Sequence, residues 1–289
     1  MHFIACIKGE VGAIAIGRMS CYASRMAGKV ELIRDGAIGT ILIDHQARRN
    51  AITRAMWEAI PEVAREAERD PELRVIILRG AGEEAFISGA DISEFEKERA
   101  GDKARDYEAI TERAFASIAS LEKPVIALIH GFCIGGGAAL SLCADLRYGA
   151  EDAIFAIPPA RLGLGYGAFN IERLVNELDF ATAREILFTA RRYNAREAEA
   201  RGWLQGVYPK AELDEAVRQI ALGIAKNAPL TIKSAKLVLR GLAGEARGER
   251  AAEFEAAIDA SIEACFESED YQEGVRAFME KRRPVFKGR

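Results

Sequence analysis

The sequence predicts an α/β protein with a mostly parallel sheet and a helical layer at its C-terminal end. Short apolar runs typical of buried strands alternate with helical patterns from residue 30 to about residue 160. Helical patterns alone continue from there to residue 289. No linker rich in proline, glycine or serine separates the two parts, so we expect them to pack against each other.

The first half of the chain begins with a predicted hairpin. Its strands run from Val30 to Ile33 and from Ile38 to Asp44, with Asp35-Gly36 in the turn. Thr53 then caps a helix whose apolar face repeats at helical spacing (Met56, Ile60, Val63 and Ala67). The remaining predictions are buried strands at Val75–Leu78, Lys123–Ile129 and Ala153–Ile157, a loop at 81–92, a polar helical region at Ser93–Ser120 and a helix at Ala138–Ala144.

The second half is predicted to contain no further strand after Ile157. Its apolar residues recur at helical rather than alternating spacing. We expect helices near 171–177, 181–187, 195–201, 211–226, 230–239 and 251–279, the last with breaks.

Composition argues against several classes of protein. Of the 289 residues, 49% are hydrophobic and 29% are charged, which is typical of a soluble globular protein. The net charge is −4 and there is no long basic tract, which argues against a nucleic-acid partner. No apolar run approaches the ~20 residues that a membrane-spanning helix needs.

Cysteines and histidines give no sign of a disulfide framework or a metal centre. The five cysteines contain no CxxC pair, so we interpret them as reduced thiols in the cytoplasm (Cys6, Cys21, Cys133, Cys143 and Cys265). The three histidines are too few and too scattered for a multi-histidine metal site (His2, His45 and His130).

Residues 1–28 do not continue the pattern of the rest. We interpret them as a disordered N-terminal extension upstream of a start at Met26. The segment is also basic and poor in acids, so a presequence for the mitochondrial matrix remains the alternative to a cytoplasmic protein.

A run of glycines, Gly135 to Gly137, lies between a predicted strand and a predicted helix. Such a turn exposes N–H groups that have no partner inside the helix, and the helix dipole adds a partial positive charge. Glycine lets a ligand oxygen approach the backbone closely. The turn therefore suits an anion, or an oxygen that becomes anionic during a reaction. Its context matches neither a dinucleotide-binding motif nor a P-loop.

A second turn of small residues, Ser88-Gly89-Ala90, also follows a predicted buried strand, so two N–H groups could share one oxygen. AFISGADI at 85–92, followed by KPVIALIHGFCIGGG at 123–137, resembles the motif pair of the enoyl-CoA hydratase/isomerase family, also called the crotonase family. The resemblance extends from about Val30 to Arg289 and includes the closing EGVRAFMEKRRPVFKG. It implies a crotonase-like spiral of ββα units at 29–225 and a C-terminal helical oligomerisation region at 226–289. Trimers or dimers of trimers are the assemblies that the family leads us to expect.

The resemblance also implies the substrate class and the binding residues. Family members bind acyl-CoA thioesters, and two backbone N–H groups stabilise a thioester enolate; matched by motif, the donors are Ala90 and Gly136. No cofactor is expected beyond the coenzyme A moiety of the substrate. The residues that match the substrate and coenzyme A site are Arg48, Arg49, Ala51, Ala85, Ile87, Ser88, Gly89, Ala90, Asp91, Ile92, Gly136, Phe278 and Lys281.

The chain departs from the family's hydratase pattern at both catalytic glutamates. Ala139 and Pro159 stand at those positions, and neither can carry a proton. Tyr166, in the glycine-rich loop that follows, matches a tyrosine of the family's methylmalonyl-CoA decarboxylases and is our candidate proton donor. The family resemblance still implies an enoyl-CoA hydratase of fatty acid metabolism as the nominal function. An acyl-CoA decarboxylase, a thioester hydrolase, an isomerase or a non-catalytic acyl-CoA-binding protein are the alternatives.

Other polar residues are expected to have structural roles. Asp91 should hold its turn and Asp145 should form local contacts. His45 should organise its loop, and His130 should be a satisfied structural histidine. Any glutamate of the polar helical region could reach a pocket, but solvated faces are the default expectation (Glu94, Glu108 and Glu112).

Overall fold

The computed structural model describes residues 28–94, 103–245 and 251–289. The predicted N-terminal extension lies outside the described residues, except for Gly28. Within the described ranges, the strands are β1 (Lys29–Asp35), β2 (Ile38–Asp44), β3 (Val75–Gly80), β4 (Ala85–Ile87), β5 (Val125–Ile129), β6 (Phe132–Ile134), β7 (Leu146–Ala150), β8 (Ile154–Ala156), β9 (Tyr193–Asn194) and β10 (Gly206–Tyr208).

The helices occupy the connections and the C-terminal third. In the described ranges they are α1 (Arg54–Arg69), α2 (Lys103–Ala119), α3 (Gly136–Ser141), α4 (Ala168–Glu177), α5 (Phe180–Thr189), α6 (Ala195–Ala200), α7 (Leu213–Ala225), α8 (Pro229–Arg240), α9 (Ala251–Glu267) and α10 (Glu269–Met279). No described helix is both long enough and apolar enough to cross a bilayer.

The predicted hairpin and the first helix are confirmed. β1 and β2 pair antiparallel, with Asp35 opposite Ile38, so the turn is Gly36 and Ala37 rather than Asp35 and Gly36. Gly36 has φ +58°, which a glycine adopts without steric cost. The hydroxyl of Thr53 accepts a hydrogen bond from the N–H of Met56, as an N-cap residue does.

The strands of the described chain form two sheets. The order is β1-β2-β3-β5-β7-β10 in the larger sheet and β4-β6-β8-β9 in the smaller one. All pairs are parallel except β1 with β2 and β8 with β9. From β3 to β8, successive strands thus enter the larger and the smaller sheet alternately, and a helix follows each pair. This is the spiral of ββα units that the sequence predicts.

The central strands of the larger sheet, β3 and β5, are buried on both faces, as their apolar sequences predict. In β3, the side chains of Val75 and Ile77 join a cluster with α7, which contributes Leu213 and Val217. Ile76 and Leu78 point to the opposite face and join the main core, together with α1 and α2. The sheet is therefore covered by helices from both the N-terminal and the C-terminal parts of the chain.

Several element predictions are wrong in detail. β4 and β6 lie in segments expected to be loop or turn, and β7 is not predicted at all. Strands also continue after Ile157, because β9 pairs with β8 and β10 with β7. These strands have two to five residues and lack a long apolar run, so a pattern search does not separate them from loop.

The glycine-rich helix also differs from its prediction. α3 begins at Gly136 and ends at Ser141, two residues earlier than expected at its start and three at its end. Two of the three consecutive glycines therefore lie inside the helix. The polar helical region is confirmed for Lys103–Ala119, while residues 95–102 are outside the described chain.

Candidate active site

The two turns of small residues lie side by side. β4 and β6 are parallel neighbours, with Ala85 opposite Phe132 and Ile87 opposite Cys133. The turn Ser88–Ala90 follows β4, and Gly135 follows β6. Because both turns leave the same edge of the sheet, their backbones come together.

Two glycines with positive φ make this approach possible. Gly89 has φ +117° and Gly135 has φ +56°, conformations that side chains rarely adopt. A Cβ atom on Gly135 would lie 4.0 Å from the Cα atom of Gly89, and one on Gly89 would lie 3.5 Å from the carbonyl oxygen of Ile134. The expected convergence of the two motifs is therefore present in the structure.

The N–H groups of Ala90 and Gly136 have no acceptor in the described part of the chain. Ile52 bridges the residues on either side of Ala90: it accepts from the N–H of Asp91 and donates to the carbonyl of Gly89, both at 2.9 Å. In a parallel bridge this leaves the N–H of Ala90 pointing to the other side. Gly136 is the first residue of α3, whose leading N–H groups have no partner within the helix.

Packing accounts for the other glycines of the triplet. A Cβ on Gly137 would overlap the carbonyl oxygen of Ile87 and lie 2.6 Å from its Cβ, so α3 is held directly against β4. A Cβ on Gly136 would lie 3.0 Å from Cζ2 of Trp57. The indole N–H of Trp57 donates to the hydroxyl of Tyr107 at 3.0 Å. Sequence reasoning missed Trp57 because nothing in its local pattern marks a contact with a distant turn.

The segment before α1 is joined to the first turn. Ser88 donates its N–H to the carbonyl of Arg49 at 3.1 Å and its hydroxyl to that of Arg48 at 3.2 Å. With the Ile52 bridge, these bonds bring the predicted coenzyme A residues of 48–51 and 85–92 into one surface. The side chains of Ala51, Ala85 and Ile87 are buried beneath this surface, so these residues can offer only their backbone atoms to a ligand.

Asn50 organises this surface and was not predicted from the sequence. Its side chain is buried; the Oδ1 atom accepts from the N–H of His45, and the Nδ2 group donates to the carbonyls of Ala81 and Ala85. Asn50 has φ +55°, which asparagine tolerates better than most residues. The ring of His45 contacts the carbonyl of Ala51 through Nδ1 at 2.8 Å, so its predicted structural role is confirmed.

The two arginines of this surface have exposed side chains. Arg49 donates to Glu84 at 2.6 Å and lies 5.2 Å from the ring centre of Phe132. Arg48 is 4.0 Å from the carboxylate of Asp91. Asp91 also accepts from the N–H and hydroxyl of Ser93, so its predicted turn-holding role is confirmed, and hydrogen bonding and the nearby charge lower its pKa against the effect of burial. The backbone of Ile92 begins the 3-10 turn that follows.

Phe278 and Lys281 are not brought to this surface within one chain. Phe278 is 83% exposed near the end of α10, and Lys281 follows the helix with φ +57°. Neither forms a hydrogen bond or ion pair with residues 85–92 in the described chain. Their role toward a neighbouring subunit stays a prediction.

The positions of the two absent glutamates are apolar and buried. Ala139 lies in α3, within the main core. Its carbonyl accepts the thiol of Cys143 at 3.5 Å. Pro159 begins a 3-10 turn, and its carbonyl accepts the N–H groups of Leu162 and Leu164. Both residues stabilise local structure and neither offers a group that transfers protons.

Tyr166 lies against the main core, and its hydroxyl is enclosed. The Oη atom is buried and has no hydrogen-bond partner among the described residues. Burial, and to a smaller extent Cys143, raises the pKa of the phenol above its ordinary value, so the hydroxyl stays protonated at neutral pH. An unpartnered buried hydroxyl is costly, so its retention calls for a packing or functional reason.

The glutamates of the polar helical region differ from one another. Glu94 accepts the N–H of Arg54 at 2.7 Å and so stabilises the start of α1. Glu108, in α2, reaches the loop after Tyr166: a Cβ on Gly167 would lie 2.9 Å from its Oε1 atom. Glu112 is exposed, as expected. Sequence reasoning did not distinguish Glu108 from its neighbours, because Gly167 is far away in the sequence.

Other titratable residues hold the fold. Asp145 accepts from the N–H of Val125 and from Lys236, both at 2.7 Å, so these contacts are long-range rather than the local ones expected. His130 contacts Asp214 through Nε2 at 2.8 Å, but its Nδ1 atom is buried without a partner, so it is only partly satisfied. Burial raises the pKa of the core thiols Cys133 and Cys143 to about 12, so both are inert. The described residues contain no cluster with the composition of a metal site.

Comparison with known proteins shows which family the sequence resembles. The sequence model of the enoyl-CoA hydratase/isomerase family matches residues 34–289. A short-chain-enoyl-CoA hydratase of Clostridium acetobutylicum is 33% identical over 255 residues, covering 88% of this chain and 95% of the relative. A carnitinyl-CoA dehydratase of Salmonella typhi is 35% identical over 264 residues, covering 91% and 100%.

Solved structures show the same fold. The crystal structure of an enoyl-CoA hydratase/isomerase family protein from Hyphomonas neptunium superimposes with a TM-score of 0.85 at 34% identity, covering 92% of this chain and all of that one. An enoyl-CoA hydratase from Bacillus anthracis has a TM-score of 0.82 at 29% identity, covering 90% and 99%. With the matching motifs, fold and turn geometry, this chain belongs to the enoyl-CoA hydratase/isomerase family.

Proposed function

We propose that this protein is an acyl-CoA enzyme that forms a thioester enolate between the backbone N–H groups of Ala90 and Gly136. The observation that supports this is the pair of converging turns whose N–H groups have no acceptor among the residues that the structure describes. A donor of this kind lowers the barrier to a developing oxyanion by about 3–4 kcal/mol. The hydratase and the dehydratase described above are each named for a CoA thioester substrate, which supports the same substrate class here.

The nominal reaction is hydration of an enoyl-CoA. The groups that transfer protons must differ from the two glutamates of the family pattern. Removing a positioned acid or base costs about 10²- to 10⁴-fold in rate. With Ala139 and Pro159 in those positions, crotonyl-CoA hydration is expected to be slow. Stabilisation of the enolate depends on backbone N–H groups, so it does not require the two missing glutamates.

Decarboxylation is the second candidate, because it needs no base. The electron pair of the breaking C–C bond would pass to the α-carbon and the thioester oxygen, and CO₂ would leave. The enolate would then take a proton, and the enclosed hydroxyl of Tyr166 is the donor that favours this reaction.

Assembly through the C-terminal helices is a further part of the proposal. Large apolar side chains are exposed there, which is typical of surfaces covered by another subunit (Leu239, Leu242, Ile262, Phe266, Val275 and Phe278). We expect a trimer or a dimer of trimers, measurable by light scattering.

The test of the enolate site removes the backbone N–H group of Ala90 and leaves the side-chain contacts of the site unchanged. Ala90→Pro deletes a donor that makes no hydrogen bond within the described chain, and Ala90→Gly is the control that keeps it. The readout is exchange of the α-protons of butyryl-CoA in D₂O, followed by NMR. We expect Ala90→Pro to slow exchange by about 10²- to 10³-fold and Ala90→Gly to slow it less than threefold. Equal exchange by wild type and Ala90→Pro would contradict the proposal.

A panel of thioesters separates the reactions. Crotonyl-CoA, 3-butenoyl-CoA and methylmalonyl-CoA report hydration, isomerisation and decarboxylation, and thiol release reports hydrolysis. Hydration with a kcat on the order of 1 s⁻¹ or more would contradict the argument from Ala139 and Pro159. Tight binding of butyryl-CoA without exchange or turnover would identify a non-catalytic binding protein instead.

A further inference from the structure

Enolate formation at a C–H bond requires a group that accepts the α-proton. This requirement rests on the proposed function. Ala139 and Pro159 have no such group, and Tyr166 is a neutral phenol that donates rather than accepts. The base must therefore be a carboxylate of another element that lies close to the bound acyl group.

Glu108 is a carboxylate at the loop where the family pattern has lost its own. It lies in α2, and its Oε1 atom lies against Gly167, the residue after Tyr166. Gly167 also begins α4, because its carbonyl accepts the N–H groups of Asn170 and Ile171. Glu108 thus faces the one segment that both follows the second absent glutamate and carries the candidate donor.

The helix of Glu108 also reaches the other half of the site. The preceding residue, Tyr107, accepts the indole N–H of Trp57, and the ring of Trp57 lies against Gly136. Two adjacent residues of α2 therefore reach the two parts of the site. Tyr107 is connected to Gly136 through Trp57, and Glu108 lies at the Tyr166 loop. Helix α2 thus spans from the Tyr166 loop to the ring that supports Gly136.

Three other carboxylates near these segments are already engaged. Glu94 accepts the N–H of Arg54, Asp106 pairs with the Arg54 guanidinium at 2.5 Å, and Asp91 accepts from Ser93. In the ranges 28–94, 103–245 and 251–289, no cation lies within ion-pair distance of Glu108. Its side chain is exposed, so a ligand can approach it.

We propose that Glu108 is the catalytic carboxylate that takes the α-proton of the bound thioester. The C–H electron pair becomes the C=C bond of the enolate, and the carbonyl π pair moves onto the oxygen held by Ala90 and Gly136. The proton resides on Glu108 and returns to the α-carbon, or to the γ-carbon of a 3-enoyl thioester. The enzyme ends each cycle unchanged, and no further reactant is needed.

The first test uses Glu108→Gln, which keeps the shape and removes the base. Exchange of butyryl-CoA α-protons in D₂O should fall by about 10²- to 10⁴-fold, while the dissociation constant of butyryl-CoA by calorimetry should stay within twofold. Glu112→Gln is the matched control: it is an exposed glutamate one helical turn further in α2, and its exchange rate should stay within twofold of wild type.

The second test moves the carboxylate without removing it. Gly167→Ala places a methyl group 2.9 Å from Oε1, and the flexible end of the glutamate must give way. Exchange should slow about tenfold in the wild-type background. The same substitution should have little further effect in Glu108→Gln, because the two residues act through one group.

The third test restores the base from solution. Added acetate should recover exchange at least tenfold in Glu108→Ala and not in Glu108→Gln, where the amide fills the space. A residue with a structural role alone would not be rescued in this way.

The outcomes separate this proposal from the enolate proposal. Exchange by wild type and Glu108→Gln at the same rate would overturn the role of Glu108 and leave the enolate site standing. Loss of exchange in Glu112→Gln but not in Glu108→Gln would also overturn it. Absence of exchange in the wild type would overturn the role of Glu108, and absence of methylmalonyl-CoA decarboxylation as well would overturn the enolate proposal.

Discussion

The two halves of the candidate active site are built from different parts of the chain. The half proposed to hold the thioester oxygen consists of backbone: Ala90 and Gly136 contribute only their N–H groups. The half proposed to move protons consists of side chains, and there the chain departs from the hydratase pattern at Ala139 and Pro159. The difference indicates that the proposed oxygen site depends on the packing of two turns, whereas the proposed type of reaction depends on a few replaceable side chains.

The largest expected effect comes from forcing the two turns apart. Gly137→Ala would place a methyl group onto the carbonyl of Ile87, and backbone on both sides prevents easy relief. We expect the free energy of unfolding to fall by about 2–3 kcal/mol in urea denaturation, with loss of α-proton exchange. The control is Gly165→Ala, in the Tyr166 loop, where a Cβ meets nothing within 4 Å. An equal loss in both variants would show that close packing of the turns is not what Gly137 provides.

A smaller effect is expected from the contact that supports Gly136. Trp57→Phe removes the hydrogen bond to Tyr107 and the part of the ring that lies against the glycine. The unfolding free energy should fall by about 1–2 kcal/mol, and exchange should slow severalfold because the oxygen site loosens. If stability falls but exchange does not, Trp57 supports the core and not the turn.

The side-chain half is tested by Tyr166→Phe, which should raise stability and lower activity together. Removing a buried hydroxyl without a partner should raise the unfolding free energy by about 1 kcal/mol. Losing the proposed donor should slow decarboxylation of methylmalonyl-CoA about tenfold. Gain of stability with loss of activity is typical of substitutions at functional sites. Because burial raises the pKa of this phenol, its contribution should not change between about pH 6 and pH 9.

A matched control for that variant exists in the smaller sheet. Tyr193 in β9 also has a buried hydroxyl, and it lies against Arg191 rather than near α3. Tyr193→Phe should leave turnover within twofold of wild type. Turnover that falls equally in both variants would remove Tyr166 from the site.

The smallest effect is expected far from both halves, at the contact of His130 with Asp214. Hydrogen bonds from His130 and Arg79 lower the pKa of Asp214 to about 2. A carboxylate with a depressed pKa stabilises the fold above its ordinary pKa, and this contribution is lost as the pH falls toward about 2.

Asp214→Asn should therefore lower the unfolding free energy at pH 7 by less than about 1 kcal/mol, because the side chain is half exposed and solvent screens it. The difference from wild type should shrink between about pH 4 and pH 2 in denaturant titrations. Exchange of butyryl-CoA should not change. A loss of exchange would link the outer face of the larger sheet to the site.

Much of the fold could be predicted from local pattern. The hairpin, the N-cap at Thr53 and the doubly buried β3 each have a signal within a few residues, because their physics is local. β10 has no such signal: its three residues are half-buried, and only pairing with β7 makes them a strand. The expectation that strands stop at Ile157 failed for this reason.

The candidate site divides in the same way. The glycine turns and their motif pair were visible because a backbone that must approach a ligand closely needs glycine at fixed positions. The contacts of Asn50, Trp57 and Glu108 were not visible, because each joins residues that are distant in the sequence.

By itself, the sequence determined that two small-residue turns end buried strands, that the family's two glutamates are absent, and that the chain belongs to this family. Only the tertiary structure decided that the turns meet, since that depends on β4 and β6 being parallel neighbours. It also decided which glutamate of α2 faces the Tyr166 loop. Local pattern fixes what each segment becomes, whereas the partner of a side chain depends on the packing of segments far apart in the chain.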